Sequence, residues 1–161
     1  MQINPRYVAA VLSLSAAGIT GIAMHEGTVY RVYLDPVGIP TSCTGHTSTV
    51  TKADVGKPVS KSTCEYLLRK DASSAERAVK HCVTAPVTQE QYDSLTSLAF
   101  NIGETNFCRS TLVRKHNAGD CEGAYKEFYR WRYANGVVLP GLVVRRGDEA
   151  RDYRTGCAET L

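Results

Sequence analysis

"HEGTVYRVYLDPVGIPTSCTGHT", residues 25–47, carries Glu26 and Asp35 nine positions apart, and Thr41 follows six later. Tyr, Val and Thr flanking "DPVG" read as two short strands around a turn. The apolar run ahead of Glu26 reads as a helix. A helix end and a hairpin can together bring two carboxylates and a hydroxyl to one place. Cleaving a glycosidic bond needs that set: an acid to protonate the leaving oxygen and a second carboxylate on the other side of the sugar. A hydroxyl beside the second carboxylate can fix the attacking water. Taken alone, the spacing has a plainer reading, a charge at a helix end and an Asp that starts a turn.

A chain of 161 residues, 43% hydrophobic and 22% charged, fits one globular domain able to bury a sizeable core. Nineteen Lys and Arg against sixteen Asp and Glu leave a net charge of +3, too mild for a nucleic-acid binder and compatible with an anionic partner such as a cell wall. Six cysteines at positions 43, 64, 82, 108, 121 and 157 include no C-x-x-C pair. Without close Cys or His pairs they argue against structural zinc and suit disulfides in an oxidising compartment, buried thiols being the alternative. No metal or cofactor is expected.

Val8 to Met24, "VAAVLSLSAAGITGIAM", is a run of 17 uncharged residues between Arg6 and the His25-Glu26 pair. It lies at the short limit for a membrane span, and its Ser, Gly and Thr make it a poor one. Two readings stand: the first helix of the domain, with Val8, Val11, Leu12, Ile19, Ile22 and Ala23 inward, and a weak, releasable membrane anchor. A cleaved signal is disfavoured, because Glu26 would lose its support.

Beyond the hairpin, "SKSTCEYLLRKDASSAERAVKHC" (60–82) has apolar spacing for one long helix. The box Thr88 to Gln91 starts another, with Tyr92, Leu95, Leu98, Ala99 and Ile102 on one face and Gly103 as its stop. Shorter helices are expected around 111–117, 121–131 and 141–153, with "ANGVVLPG" as a break before the last. No repeat or flexible linker interrupts them. The fold class is α+β: one domain over 1–161, with an N-terminal helix (1–25), a sheet lobe (26–58), and a connecting helix and helical lobe (59–161) meeting at a cleft.

The set Glu26, Asp35 and Thr41 followed by "TGHT" resembles the phage-type lysozymes, endolysins that cut bacterial peptidoglycan. The resemblance runs from about Met24 to Tyr153 and extends to "LLRKD", "LAFNIGETNF" and "GLVVRR". It implies a lysozyme-like fold and hydrolysis of the β-1,4 bond between N-acetylmuramic acid and N-acetylglucosamine, leading to host lysis. It makes Glu26 the general acid, Asp35 the carboxylate opposite and Thr41 the water holder, with Arg146, or less directly Arg145, orienting Glu26. His46 and Asp71 become a structural ion pair. Tyr30, Tyr33 and Phe100 are candidates to line a sugar groove, because carbohydrate faces pack on aromatic rings; only Phe100 has a family counterpart. Asn101 and Thr47 join them as candidate substrate contacts. A monomer is expected, with no nucleic-acid partner.

One position departs from the family's T-x-G-x-G-H pattern: "TSCTGH" has Cys43 where glycine is usual, and Cys adopts positive φ less cheaply. That change resembles the exported branch of the family, which combines extra cysteines with an N-terminal signal-anchor-release helix. It implies action in the host periplasm after tethering to the inner membrane. Six cysteines allow 15 pairings. Their placement on the expected elements suggests Cys43 with Cys64, Cys82 with Cys108 and Cys121 with Cys157. The rival functions are a lytic transglycosylase, which needs one acid only, and a non-catalytic wall-binding module.

Overall fold

The computed structural model describes residues 4–157. The chain divides into two compact units, Ile19–Ser73 and a larger one formed by Met1–Gly18 with Ser74–Leu161.

The apolar N-terminal run is not one helix. Ala9–Val11 forms a single 3-10 turn, and helix α1 covers only Ala16–Glu26. Before it, Tyr7 pairs with Val87 through two backbone hydrogen bonds. The start of α1 is set by polar contacts within the larger unit. Leu14 N–H donates to Glu76 Oε1 at 2.8 Å, and Ser15 N–H donates to Asp93 Oδ1 at 3.1 Å. The Ser15 hydroxyl also donates to the Asp93 carboxylate, while its oxygen accepts the Gly18 N–H as a helix cap does. Val8 and Val11, expected inward, are therefore exposed; Ile19 and Ile22 are buried as expected, and Leu12 and Ala23 are half-buried. Among the described residues no helix is long and apolar enough to cross a membrane.

In the smaller unit, strands β1 (Val29–Leu34) and β2 (Pro40–Cys43) pair antiparallel, with Tyr33 opposite Thr41 and Leu34 opposite Pro40. Val32 is buried beneath the hairpin and holds the next loop by exchanging backbone bonds with Lys57 O and Gly56 N–H. Helix α2 (Lys61–Asp71) packs Cys64 and Leu68 inward, and the Cys43–Cys64 disulfide ties it to β2. The long helix expected over 60–82 is two helices, α2 and α3 (Ser73–Cys82), separated at Ala72. The Asp71 carboxylate that ends α2 is bound to His46, and Ser73 and Ser74 follow, residue types that compete with the helix for backbone bonds.

The larger unit surrounds α4 (Gln89–Ile102), whose residues from Gln91 to Ala99 are all buried except Asp93. The expected Thr88–Gln91 capping box opens it, and Gly103 at φ +86° closes it. Tyr92, Leu95 and Leu98 pack with Phe107 of α5 (Glu104–Cys108), Leu112 of α6 (Thr111–Asn117), Ala124 of α7 (Cys121–Glu127), and Ala150 and Tyr153 of α8 (Pro140–Thr155). A 3-10 turn, Phe128–Arg130, completes the stretch expected as helix to 131. The break expected at "ANGVVLPG" is a hairpin, β3 (Tyr133–Ala134) with β4 (Val137–Val138). Its turn residues, Asn135 (φ +50°) and Gly136 (φ +75°), are the pair that a tight two-residue turn demands. Disulfides Cys82–Cys108 and Cys121–Cys157 close this unit as the cysteine placement suggested. The three bridges close loops of 21, 26 and 36 residues. In the chain-entropy account each is worth about 3 to 4 kcal/mol.

Candidate active site

The turn between β1 and β2 is built by the residue it presents. Asp35 leads a four-residue turn with Pro36 second and Gly38 last, the preferred order for a type I turn, and Gly38 N–H donates to Asp35 O at 2.9 Å. The Asp35 carboxylate caps the same turn: Oδ1 accepts from Val37 N–H at 3.0 Å and Ile39 N–H at 2.8 Å. Both bonds go to Oδ1, and Oδ2 takes no part in them. Across the hairpin, Thr41 Oγ1 donates to Ile39 O at 2.9 Å. Ile39 therefore holds Asp35 by its amide and Thr41 by its carbonyl. Because the Thr41 proton is committed, its oxygen can only accept from a further partner. Thr41 is 4% exposed, and Asp35 is half-buried.

Glu26 is the last residue of α1 and is exposed, with Gly27 at φ +75° turning the chain away immediately after it. Thus one unit carries Glu26, Asp35 and Thr41. The same unit places His46 as expected: Nδ1 lies 2.7 Å from Asp71 Oδ2 and Nε2 lies 2.8 Å from Thr49 Oγ1. With both ring nitrogens occupied and 2% of its surface exposed, His46 fastens the hairpin end to α2 and is not available to a substrate. Cys43, in the usual glycine position, does adopt positive φ, +54°, and its disulfide joins the same two elements. Tyr33 is half-buried and Thr47 exposed.

Arg145 and Arg146 are both buried, and the carboxylate that gathers them, Glu149, is absent from the sequence-based candidates. Arg146 Nε lies 2.7 Å from Glu149 Oε2, and Arg145 Nε lies 3.1 Å from Oε1. Ser97 Oγ donates to Glu149 Oε1 at 2.6 Å. Arg146 also donates to Asn101 Oδ1 at 2.9 Å and to Trp131 O at 3.2 Å, so two expected residues, Arg146 and Asn101, are in direct contact. Phe100 is half-buried against the core of this unit. The signal for Glu149 was its spacing: three and four residues after the arginines, it shares their helix face. Among the described residues no group of three or more His, Cys, Asp or Glu is placed to hold a metal ion.

The family model described as phage lysozyme matches residues 23–149. The SAR-endolysin of Enterobacteria phage P21 is 37% identical over 139 residues, which cover 86% of this chain and 81% of the phage protein. A solved P22 lysozyme mutant superposes with a TM-score of 0.81 at 33% identity, covering 89% of this chain and 99% of that one. The muramidase domain of SpmX from Asticaccaulis excentricus superposes at 0.78 with 32% identity, covering 88% and 97%.

Proposed function

The chain belongs to the phage lysozyme family, and from that premise we propose that it cleaves the β-1,4 bond between N-acetylmuramic acid and N-acetylglucosamine with inversion at the anomeric carbon. At the coarser level it is a peptidoglycan-hydrolysing endolysin, a glycoside hydrolase of host lysis. The observation that carries the finer reading is the bonding of Thr41. Its oxygen, left as an acceptor by the bond to Ile39, takes one hydrogen of a water, and Asp35 Oδ2 takes the other. Two amides hold Asp35 Oδ1, so the carboxylate that receives the water's proton is fixed in orientation. The water's lone pair is then free to attack the anomeric carbon while Glu26 protonates the leaving oxygen. Retaining enzymes use a carboxylate as nucleophile and have no need of a hydroxyl that can only accept.

Three disulfides suit an oxidising compartment. Together with the P21 relative's name, they support action in the host periplasm, with residues 8–24 first held in the inner membrane. Turbidity of outer-membrane-permeabilised Gram-negative cells tests the assignment. Glu26→Gln lowers clearing by about two to four orders of magnitude. Clearing by that variant at the rate of the natural chain would overturn it, and anhydro-muropeptide products would instead make the enzyme a lytic transglycosylase.

A further inference from the structure

Six large apolar side chains are exposed within twelve residues of the larger unit: Tyr133, Val137, Val138, Leu139, Val143 and Val144. They lie on the β3–β4 hairpin and at the start of α8, and Val137 and Val144 are 60% and 61% exposed. From Phe128 to Gly147 the sequence contains four arginines and no acid. Arg145 and Arg146 are buried with Glu149, which leaves Arg130 and Arg132 as the exposed charges. Arg130 reaches back to Glu127 with 73% of its side chain exposed, and the Arg132 guanidinium lies 5.5 Å from the centre of the Tyr133 ring. Trp131 sits half-buried between them.

The segment thus combines exposed aliphatic side chains, a Tyr and a Trp, and the basic side chains of Arg132 and the Glu127-paired Arg130. Those are the groups that favour, in turn, the acyl region, the interface and the anionic headgroups of a bilayer. We propose that the β3–β4 hairpin and the first turns of α8 form a docking surface for an anionic membrane, independent of residues 8–24. With Arg130 paired to Glu127, Arg132 is the basic group without an acidic partner among the described residues, and it argues against a symmetric second copy of the chain, in which it would face its own like. The valines argue against a glycan strand, which favours flat aromatic faces and polar partners. The contact is shallow, reversible and weakened by salt. It keeps the folded enzyme at the membrane face.

The test uses the oxidised 161-residue chain with phosphatidylethanolamine–phosphatidylglycerol vesicles and, separately, phosphatidylcholine vesicles. Co-sedimentation and the emission of Trp131, the chain's one tryptophan, are the readouts. Binding to the anionic vesicles with a blue shift is expected. Val137→Asp and Val144→Asp, made separately in case one perturbs folding, each lower partitioning about tenfold or more by replacing an exposed valine that the bilayer would bury with a charge. Arg132→Glu lowers it at least fivefold on anionic vesicles. All three variants keep the near-ultraviolet dichroism of the natural chain and clear isolated cell walls at its rate. Three results overturn the proposal: no vesicle binding, binding unchanged in both valine variants, or valine variants that lose clearing of isolated walls, which would make the patch a glycan contact. The hydrolase reading fails separately, if the natural chain binds vesicles and clears no walls.

Discussion

Cys43 is held at φ +54°, where a side chain costs about 1 to 2 kcal/mol that glycine avoids. The bridge to Cys64 offsets that cost, which explains how the hairpin end keeps its shape without glycine. Two double variants separate the effects. Cys43→Ala with Cys64→Ala loses the bridge and keeps the strain. Cys43→Gly with Cys64→Ala loses the bridge alone, and should be the more stable of the two by about 1 kcal/mol in urea unfolding. Equal stability would show that this turn carries no strain. At this scale spacing alone picked out Glu26, Asp35 and Thr41 as candidates, whereas the His46–Asp71 pair, 25 residues apart and 2.7 Å from nitrogen to oxygen, came only from the family resemblance. Glu149 escaped because nothing in "RRGDE" tells a solvated helix-face pair from a buried one until Ser97, 52 residues away, is placed beside it.

At the level of elements, boundaries set by neighbours in the chain were legible and those set by distant partners were not. Thr88 and Gln91 announce the start of α4 three residues apart. The start of α1 depends on Asp93, 78 residues from the Ser15 it holds, so the apolar run from Val8 read as unbroken helix. The single long helix expected over 60–82 divides at Ala72, next to Asp71, whose carboxylate meets His46 from 25 residues away, and ahead of Ser73 and Ser74. The β3–β4 hairpin is a different failure: its Asn-Gly turn was present as a signal and was read as a break. The glycines of α1 test the Asp93 tie. A Cβ on Gly18 would lie 2.7 Å from Asp93 Cγ, whereas one on Gly21 meets nothing within 4 Å. Gly21→Ala should raise stability by up to about 1 kcal/mol through helix propensity, and Gly18→Ala should lower it by displacing the Asp93 carboxylate. Thermal unfolding of both variants checks this, and similar behaviour would remove Asp93 as the anchor of α1.

For the whole molecule, pH acts on stability through His116. Its Nδ1 lies 2.6 Å from the Tyr153 hydroxyl and its Nε2 lies 3.3 Å from Ala85 O. A carbonyl only accepts, so Nε2 carries the proton and Nδ1 accepts from Tyr153. Burial, with Arg6 adding to it, holds the His116 pKa below its ordinary 6.5. The unfolded chain therefore takes up a proton below pH 6.5 that the folded chain resists, and stability present above that pH is lost as the solution is acidified. The melting temperature of the natural chain should fall more steeply from pH 7 to pH 5 than that of His116→Phe; parallel curves would exclude His116 as the cause. In the proposed mechanism Asp35 and Thr41 hold a water and neither attacks the sugar, so the stereochemistry of the reaction is the most direct test. Proton NMR of the first product from a chitooligosaccharide or glycan-strand substrate reads that directly. An α-configured reducing end, inverted from the β-linked substrate, is the result expected, and a β-configured one, formed before mutarotation, would contradict the role given to Thr41 and Asp35.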